Sequence, residues 1–230
     1  MSFPVDLVQI GLYLLYILLP ILAFYIIYMT LTKAFEDMGF TTVEAVIIVF
    51  LSFLFGFEII LFGVNISTLS LFSYENWIIG VSMGGAVIPI LLSIYLIIRK
   101  NLASKHLLIG IVTVTIITFL VTRPVAGKGI VSAFPYWLLP AVCASLISVI
   151  LSWKTFSKAA PLAYISGTIG VLIGADFLHL PQLLQIRTTS TTMAVVGGAN
   201  VFDMVYITGI LAVILDGILM YHQRSKEAKP

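Results

Sequence analysis

The chain has 230 residues, of which 60% are hydrophobic and only 10% are charged. Soluble domains carry about 25% charged residues, so this composition excludes a soluble enzyme and a soluble nucleic-acid-binding protein. The net charge of +2 is too small for a nucleic-acid-binding surface, and a single cysteine, Cys143, excludes an internal disulfide and a cysteine-based zinc cluster. We predict one integral membrane domain that covers residues 1–230.

Apolar stretches follow one another along the chain. The first has no basic segment of the kind that precedes a cleaved signal sequence, so we expect a retained helix that bends at Pro20. Because a helix needs about 20 apolar residues to cross a bilayer, we predict an all-α bundle of about seven transmembrane helices. They cover residues 5–31, 43–62, 77–98, 107–121, 134–151, 161–180 and 193–221.

Basic residues are distributed unequally between the two sides of this bundle. Nine fall on one side and three on the other, which accounts for all 12 lysines and arginines. The nine are Lys33, Arg99, Lys100, Lys105, Lys154, Lys158, Arg224, Lys226 and Lys229, and the three are Arg123, Lys128 and Arg187. The positive-inside rule then predicts a plasma-membrane protein with its N-terminus outside and its C-terminus in the cytoplasm. It also predicts Trp77 and Trp137 at the outer interface and Trp153 at the inner one.

Glycine pairs interrupt two of the predicted helices. Gly84 and Gly85 precede Pro89 in the third helix, and Gly197 and Gly198 lie in the seventh. Small residues permit close helix contact, whereas a glycine pair also permits a broken helix, whose exposed backbone groups form binding sites in transporters. The polar stretch 187–192 is either a plain loop or a re-entrant segment along a wet path.

Asp176 lies in the predicted sixth helix, about five residues or roughly 7 Å from its outer end. His179 follows at i+3, on the same helix face. The pair could share a proton, supply half of a metal site, or pair near the interface. Because His106 and His222 fall on the opposite side of the membrane, we predict neither a metal site nor a cofactor.

Other acids lie at membrane depth. Asp203 is roughly 15 Å into the seventh helix, with Asn200 at i-3 as its nearest polar neighbour. Glu58, in the outer half of the second helix, is a weaker candidate for the same polar site. Asp216 lies toward the inner end of the seventh helix, where we expect a carboxylate that reaches the interface.

Several segments together resemble an uncharacterised family of archaeal and bacterial membrane proteins, catalogued as a domain of unknown function. The matching segments are residues 84–89, 123–125, 127–130, 163–168, 174–176, 197–199, 202–203 and 208–209. The resemblance implies a prokaryotic multi-pass membrane protein and singles out Asp176 and Asp203, but it implies no activity. Asn200 and Met204 stand where the family pattern has glycine.

Two function hypotheses follow from these residues. The first is a transporter or channel in which Asp176, Asp203 and the glycine pairs bind protons, cations or a small polar solute. The second is a di-aspartyl intramembrane protease, although Gly-Ala-Asp departs from the Gly-x-Gly-Asp of known aspartyl membrane proteases. A non-catalytic assembly subunit is the third possibility. The expected partners are lipid and a small solute or ion, with no nucleic acid, and the sequence is compatible with a homo-oligomer.

Overall fold

A computed structural model describes residues 7–127, 129–188, 190–198 and 204–227. The described chain is mostly helical, as predicted. Its helices are α1 (Leu7–Asp37), α2 (Thr42–Leu54), α3 (Ile88–Lys100), α4 (Ser104–Val121), α5 (Leu139–Leu151), α6 (Ala159–Val171), α7 (Leu178–Leu184) and α8 (Met204–Glu227). A π-helical turn, Leu172–Phe177, joins α6 to α7 without a break. The described residues therefore form seven helical rods, which matches the predicted number.

Short strands accompany the helices, so the all-α prediction is wrong in this respect. The strands are β1 (Ile60–Leu61), β2 (Val64–Asn65), β3 (Thr68–Tyr74), β4 (Trp77–Ser82), β5 (Thr122–Val125), β6 (Gly129–Ser132) and β7 (Thr192–Val196). Strands β1 and β2 form one hairpin, β5 and β6 form another, and a three-stranded sheet has the order β3-β4-β7. In that sheet β3 pairs antiparallel with β4, and β7 pairs parallel with β4.

Three predicted helix boundaries are corrected by these strands. The second helix ends at Leu54 rather than at residue 62. The rest of the predicted helix contains β1 and the hairpin turn at Phe62 and Gly63, both of which have positive φ. The third and seventh predicted helices begin as β4 and β7, which are rich in β-branched or aromatic residues. Hydrophobic composition alone does not separate a short buried strand from a helix segment.

Helix α6 lies at the centre of the bundle, in contact with α3, α4, α5 and α8. Every residue of α6 except Ile169 is buried. Close approach is possible because glycines face the neighbouring helices. A Cβ atom on Gly170 would lie 2.6 Å from Cβ of Val114 in α4, and one on Gly167 would lie 3.3 Å from the carbonyl oxygen of Thr208 in α8.

The bundle has two unlike ends. We call the end that carries the strands the sheet end. The opposite end, which we call the loop end, holds the connections from α1 to α2, α3 to α4 and α5 to α6. Side chains bridge these connections: Arg99 lies 3.5 Å from Glu44, and Lys158 donates to the carbonyl oxygen of Asn101 at 2.9 Å.

Four of the described helical spans are long and apolar enough to cross a membrane, namely Gln9–Asp37, Met83–Lys100, Ser104–Val121 and Ala159–Leu184. Helix α1 has the most extensive exposed apolar surface of these spans. Its residues from Gln9 to Ile27 are exposed, and Tyr16 is 81% exposed, while only its last turns pack on the bundle through Leu31 and Phe35. An apolar surface of this extent is typical of contact with lipid.

Candidate functional site

Asp176 lies within the π-helical turn between α6 and α7, where it is half-buried. One of its carboxyl oxygens, Oδ2, accepts a hydrogen bond of 2.6 Å from the backbone N–H of Gly197. A π-helical turn inside an α-helix is rare and frequently occurs at functional sites. The turn and the hydrogen bond together fix the direction of this carboxyl group toward the segment that follows β7.

The two glycine pairs that the sequence singles out lie against each other. Gly84 and Gly85 belong to a π-helical turn, Met83–Val87, whose Gly85 N–H donates to Oγ of Ser82 at 3.1 Å. A Cβ atom on Gly85 would overlap the carbonyl oxygen of Gly197, and one on Gly197 would lie 2.6 Å from the backbone nitrogen of Ala86. This contact between two irregular backbones therefore leaves no room for a side chain at either position.

Positive φ angles add a second requirement for glycine. Gly197 has φ of 82° and Gly198 has φ of 70°, a region that other residues rarely adopt. The chain thus turns sharply after β7 and presents the Gly197 N–H to Asp176. Asp176, Gly84, Gly85, Gly197 and Gly198 form one constellation, which we call the glycine-aspartate site.

A cavity of about 370 Å³ adjoins the glycine-aspartate site. Its walls come from β7, from the tip of the β5-β6 hairpin and from α7. The lining residues are Trp77, Gly127, Gly129, Ile130, Asp176, Leu180, Leu183, Thr192, Met193, Ala194, Val195, Val196 and Gly198. Asp176 is the one acidic or basic side chain among these described lining residues, and most of the other lining side chains are apolar.

Strand β7 forms one wall of the cavity, and two side-chain hydrogen bonds fix the segment that precedes it. Asn76 donates from Nδ2 to the carbonyl oxygen of Thr188 at 2.9 Å, and Trp77 donates from Nε1 to that of Ile186 at 3.1 Å. Trp77 is only 3% exposed. The predicted place of this tryptophan in an aromatic belt facing lipid is therefore wrong, because its ring lines the cavity and packs inside the protein.

His179 contacts α4. Its ring stacks on Phe119, with centroids 4.5 Å apart, and Nε2 lies 3.2 Å from the carbonyl oxygen of Phe119. Nδ1 lies 2.9 Å from Oε1 of Gln182. His179 is not among the residues that line the cavity, so this geometry gives it a packing role between α7 and α4.

Glu58 is not among the described residues that line the cavity, and its role in a polar site stays a prediction. It is exposed in the segment between α2 and β1, and its Oε1 accepts a hydrogen bond of 2.9 Å from Nδ2 of Asn65. The Asn65 Oδ1 in turn accepts from the backbone N–H groups of Ser67 and Thr68. The prediction that Glu58 lies in a membrane helix is wrong, since the helix ends four residues earlier, at Leu54.

Asp203 and Asn200 lie outside the described residues. The described residues on either side of them have clear positions: Gly198 lines the cavity, and Met204 packs against the core cluster that contains Leu172 and Ala175. The role of Asp203 and Asn200 in a shared site stays a prediction.

Asp216 differs from its sequence-based prediction. It is fully buried rather than interfacial, and its Oδ1 lies 3.3 Å from Oγ of Ser148 on α5. The prediction of a carboxylate that reaches the interface is wrong, because the face of α8 that carries Asp216 packs on α5 and not on lipid.

The sequence reasoning missed β7 and the β5-β6 hairpin as parts of the site. The segment Thr-Met-Ala-Val-Val-Gly-Gly at 192–198 carries the usual signs of a strand, namely β-branched residues followed by a glycine pair. The hairpin has a comparable signal, because Gly127 and Gly129 are glycines of the kind found in hairpin turns. In the structure both have positive φ.

Comparison with known proteins gives one match. The model of a family described as "Protein of unknown function (DUF1614)" matches residues 46–215, a segment that runs from α2 to the middle of α8 and includes the glycine-aspartate site. No curated protein and no solved structure matches the chain. The family match confirms the resemblance to a domain of unknown function, and the chain belongs to the DUF1614 family.

Proposed function

We propose that this protein crosses the plasma membrane seven times, with the loop end in the cytoplasm and the sheet end outside. Among the described residues, eight lysines and arginines lie at the loop end and two at the sheet end. The eight are Lys33, Arg99, Lys100, Lys105, Lys154, Lys158, Arg224 and Lys226, and the two are Arg123 and Arg187. This distribution supports the orientation through the positive-inside rule. The glycine-aspartate site then opens toward the outer face.

The function that the geometry supports best is hydrolysis of a peptide bond within the membrane. The observation that carries this proposal is the position of Asp176, which lines a cavity walled by strand β7 and accepts a hydrogen bond from the segment that follows this strand. A polypeptide must be extended before a protease can reach its backbone, and a strand edge binds extended polypeptide. This combination favours proteolysis over the transport hypothesis.

Asp203 would supply the second carboxyl group. In such a pair, one carboxylate takes a proton from water as the water oxygen attacks the carbonyl carbon of the peptide bond. The other carboxyl group gives its proton to the leaving nitrogen as the C–N bond breaks, so that one acid and one amine are released. The Gly197 N–H would hold Asp176 in a fixed direction through these steps.

Cleavage of a labelled single-span transmembrane peptide by the purified protein in liposomes tests this function. We expect products from the wild type and at least about a 100-fold lower rate from Asp176→Asn and Asp203→Asn, since each removes an acid-base group. Glu58→Gln is the matched control because it removes an exposed carboxylate at the same end of the bundle. Full activity in Asp176→Asn, or an equal loss in Glu58→Gln, would contradict the proposal.

Transport is the second candidate, and one observation favours it. Two irregular backbone segments, at Gly84-Gly85 and Gly197-Gly198, meet beside a carboxyl group. Transporters use such breaks to bind protons, cations or small polar solutes. If liposomes show a pH change or cation flux that Asp176→Asn removes, and no peptide is cleaved, then transport replaces proteolysis as the function of the site.

A further inference from the structure

Strand β7 has one paired edge and one edge that no other described strand covers. The sheet order β3-β4-β7 places it at the border of the sheet. Its paired edge is identified by the N–H of Thr192, which donates to the carbonyl oxygen of Asn76, next to β4, at 2.8 Å. Backbone groups of successive residues in a strand point to opposite edges. Ala194 and Val196 therefore also face β4, whereas Met193 and Val195 face the other way.

Two hydrogen bonds agree with this alternation. The carbonyl oxygen of Val195 accepts from the N–H of Gly198 at 3.2 Å, and the N–H of Gly197 donates to Asp176. Both groups belong to the edge away from β4. On the same edge lie the N–H and carbonyl of Met193 and the N–H of Val195. The Asp176 carboxyl group, bonded to the N–H of Gly197, thus lies on the same edge, directly after the backbone groups of Met193 and Val195 that an added strand would meet.

We infer that the uncovered edge of β7 binds its substrate as an added strand, with the substrate backbone hydrogen-bonded to Met193 and Val195 and directed toward Asp176. This inference rests on the proposed function and names its substrate class, an extended polypeptide segment. Residue 197 follows residue 193 by four positions, or about 13 Å at 3.3 Å per residue. The peptide bond that reaches Asp176 is therefore about four residues along the substrate from the one that pairs with Met193.

The cavity chemistry fits a polypeptide backbone. Backbone donors and acceptors repeat every second residue along β7, and the period of two matches another strand. The walls beside this row are apolar side chains such as Leu180, Leu183 and Ala194, which suit the side chains of an unwound membrane helix.

Two isomers of one peptide test the strand pairing. Each is an apolar, fluorescently labelled peptide of about ten residues, N-methylated at every second position, on odd residues in one isomer and on even residues in the other. Binding is measured with the full-length Asp176→Asn protein in detergent, so that cleavage does not interfere. We expect one isomer to bind at least about tenfold more weakly than the unmethylated peptide and the other to bind within about threefold of it, because only one set of N–H groups faces β7.

Cross-linking gives a second readout that does not depend on N-methylation of the peptide. Met193→Cys, on the uncovered edge of β7, should form a disulfide with a cysteine-bearing peptide. Leu71→Cys is the matched control, because Leu71 is exposed on β3, the border strand at the other side of the same sheet. Equal binding of both N-methyl isomers, or equal cross-linking at residues 193 and 71, would overturn the inference.

The outcomes also separate this inference from the proposed function. If one isomer binds selectively but the wild type cleaves nothing, strand pairing stands and proteolysis fails. If the wild type cleaves both N-methyl isomers at equal rates, proteolysis stands and strand pairing fails.

Discussion

The two ends of the bundle are built on opposite principles. At the loop end, short connections are closed by side chains: Thr41 and Glu44 form a capping box at the start of α2, and Lys33 lies 3.2 Å from Asp37. At the sheet end, long connections fold into strands, and two π-helical turns interrupt the helices. The loop end therefore consists of regular helix termini, and the sheet end of irregular backbone held together by backbone contacts.

The packing of the core follows the same division. The cluster near the loop end contains large side chains such as Phe35, Met38 and Tyr164. The cluster near the glycine-aspartate site contains many alanines, among them Ala86 and Ala175. Small residues let backbones approach closely. Small residues near the glycine-aspartate site therefore let backbone groups approach one another around Asp176, whereas large side chains fill the core near the loop end.

The largest expected effect comes from adding one methyl group to the contact between the glycine pairs. Gly85→Ala would push Cβ into the carbonyl oxygen of Gly197, and relief requires a backbone shift. We expect a loss of about 3 kcal/mol in the free energy of unfolding, measured by urea or thermal unfolding in detergent. Activity should fall with it, since Gly197 is the donor to Asp176.

Gly11→Ala is the matched control for this change. Gly11 lies in α1, and a Cβ atom there would meet nothing within 4 Å. Alanine is the better helix former, so stability should stay equal or rise by about 0.5 kcal/mol. If Gly85→Ala behaves like Gly11→Ala, the contact between the glycine pairs is not rigid, and the contrast between the two ends is lost.

A smaller effect is expected from the anchor of β7. Trp77→Phe keeps an aromatic ring but removes the Nε1 donor, which leaves the carbonyl oxygen of Ile186 without that partner. We expect a loss of about 1.5 kcal/mol in unfolding free energy and a lower activity, because β7 forms the cavity wall. Tyr74→Phe, at a more exposed position opposite Trp77 in the sheet, is the control. Unchanged activity in Trp77→Phe would show that the position of β7 does not depend on this hydrogen bond.

The sequence predicts one end of this molecule better than the other. Helix number and the loop-end connections follow from apolar length and basic residues, whereas the roles of Asp176 and the glycine pairs stay predictions. The strands do not follow, because an apolar run such as 77–82 fits a helix or a buried strand equally well. Nor does the meeting of Gly85 with Gly197, since the two are more than 100 residues apart and their contact depends on how α3, α6 and β7 pack.

Buried polar residues show a second limit of sequence reasoning. Asp216 was placed at the interface because it lies near the end of an apolar run, yet the structure buries it beside Ser148. Which face of α8 meets lipid is decided by the neighbouring helices. A helix that is apolar on all sides gives no amphipathic signal from which that face could be predicted.

At the loop end, loss of a helix cap should change stability without changing activity. Thr41→Ala removes the hydroxyl that accepts from the N–H of Glu44. We expect a loss of about 1 kcal/mol in unfolding free energy, with peptide cleavage or flux per folded molecule equal to that of the wild type. A fall in activity comparable with that of Asp176→Asn would show that the loop end also contributes to the activity.

The smallest effect is expected at Glu44, and it depends on pH. Glu44 lies in the exposed first turn of α2, at the loop end of the bundle. The N–H of Thr41, which donates to its Oε2 at 2.8 Å, lowers the pKa of this carboxyl group, and Thr41 Oγ1 and nearby Arg99 act in the same direction. A group whose pKa is lower in the folded state stabilises the fold above its unfolded pKa, and this contribution is lost as pH falls through the folded pKa. The wild type should therefore exceed Glu44→Gln in melting temperature at pH 7, and the difference should vanish as the pH falls through the folded pKa of Glu44. Because glutamine keeps the capping-box hydrogen bond, the difference at pH 7 should be smaller than that of Thr41→Ala. A difference that is independent of pH would show that the loop end is held by hydrogen bonds and packing rather than by charge.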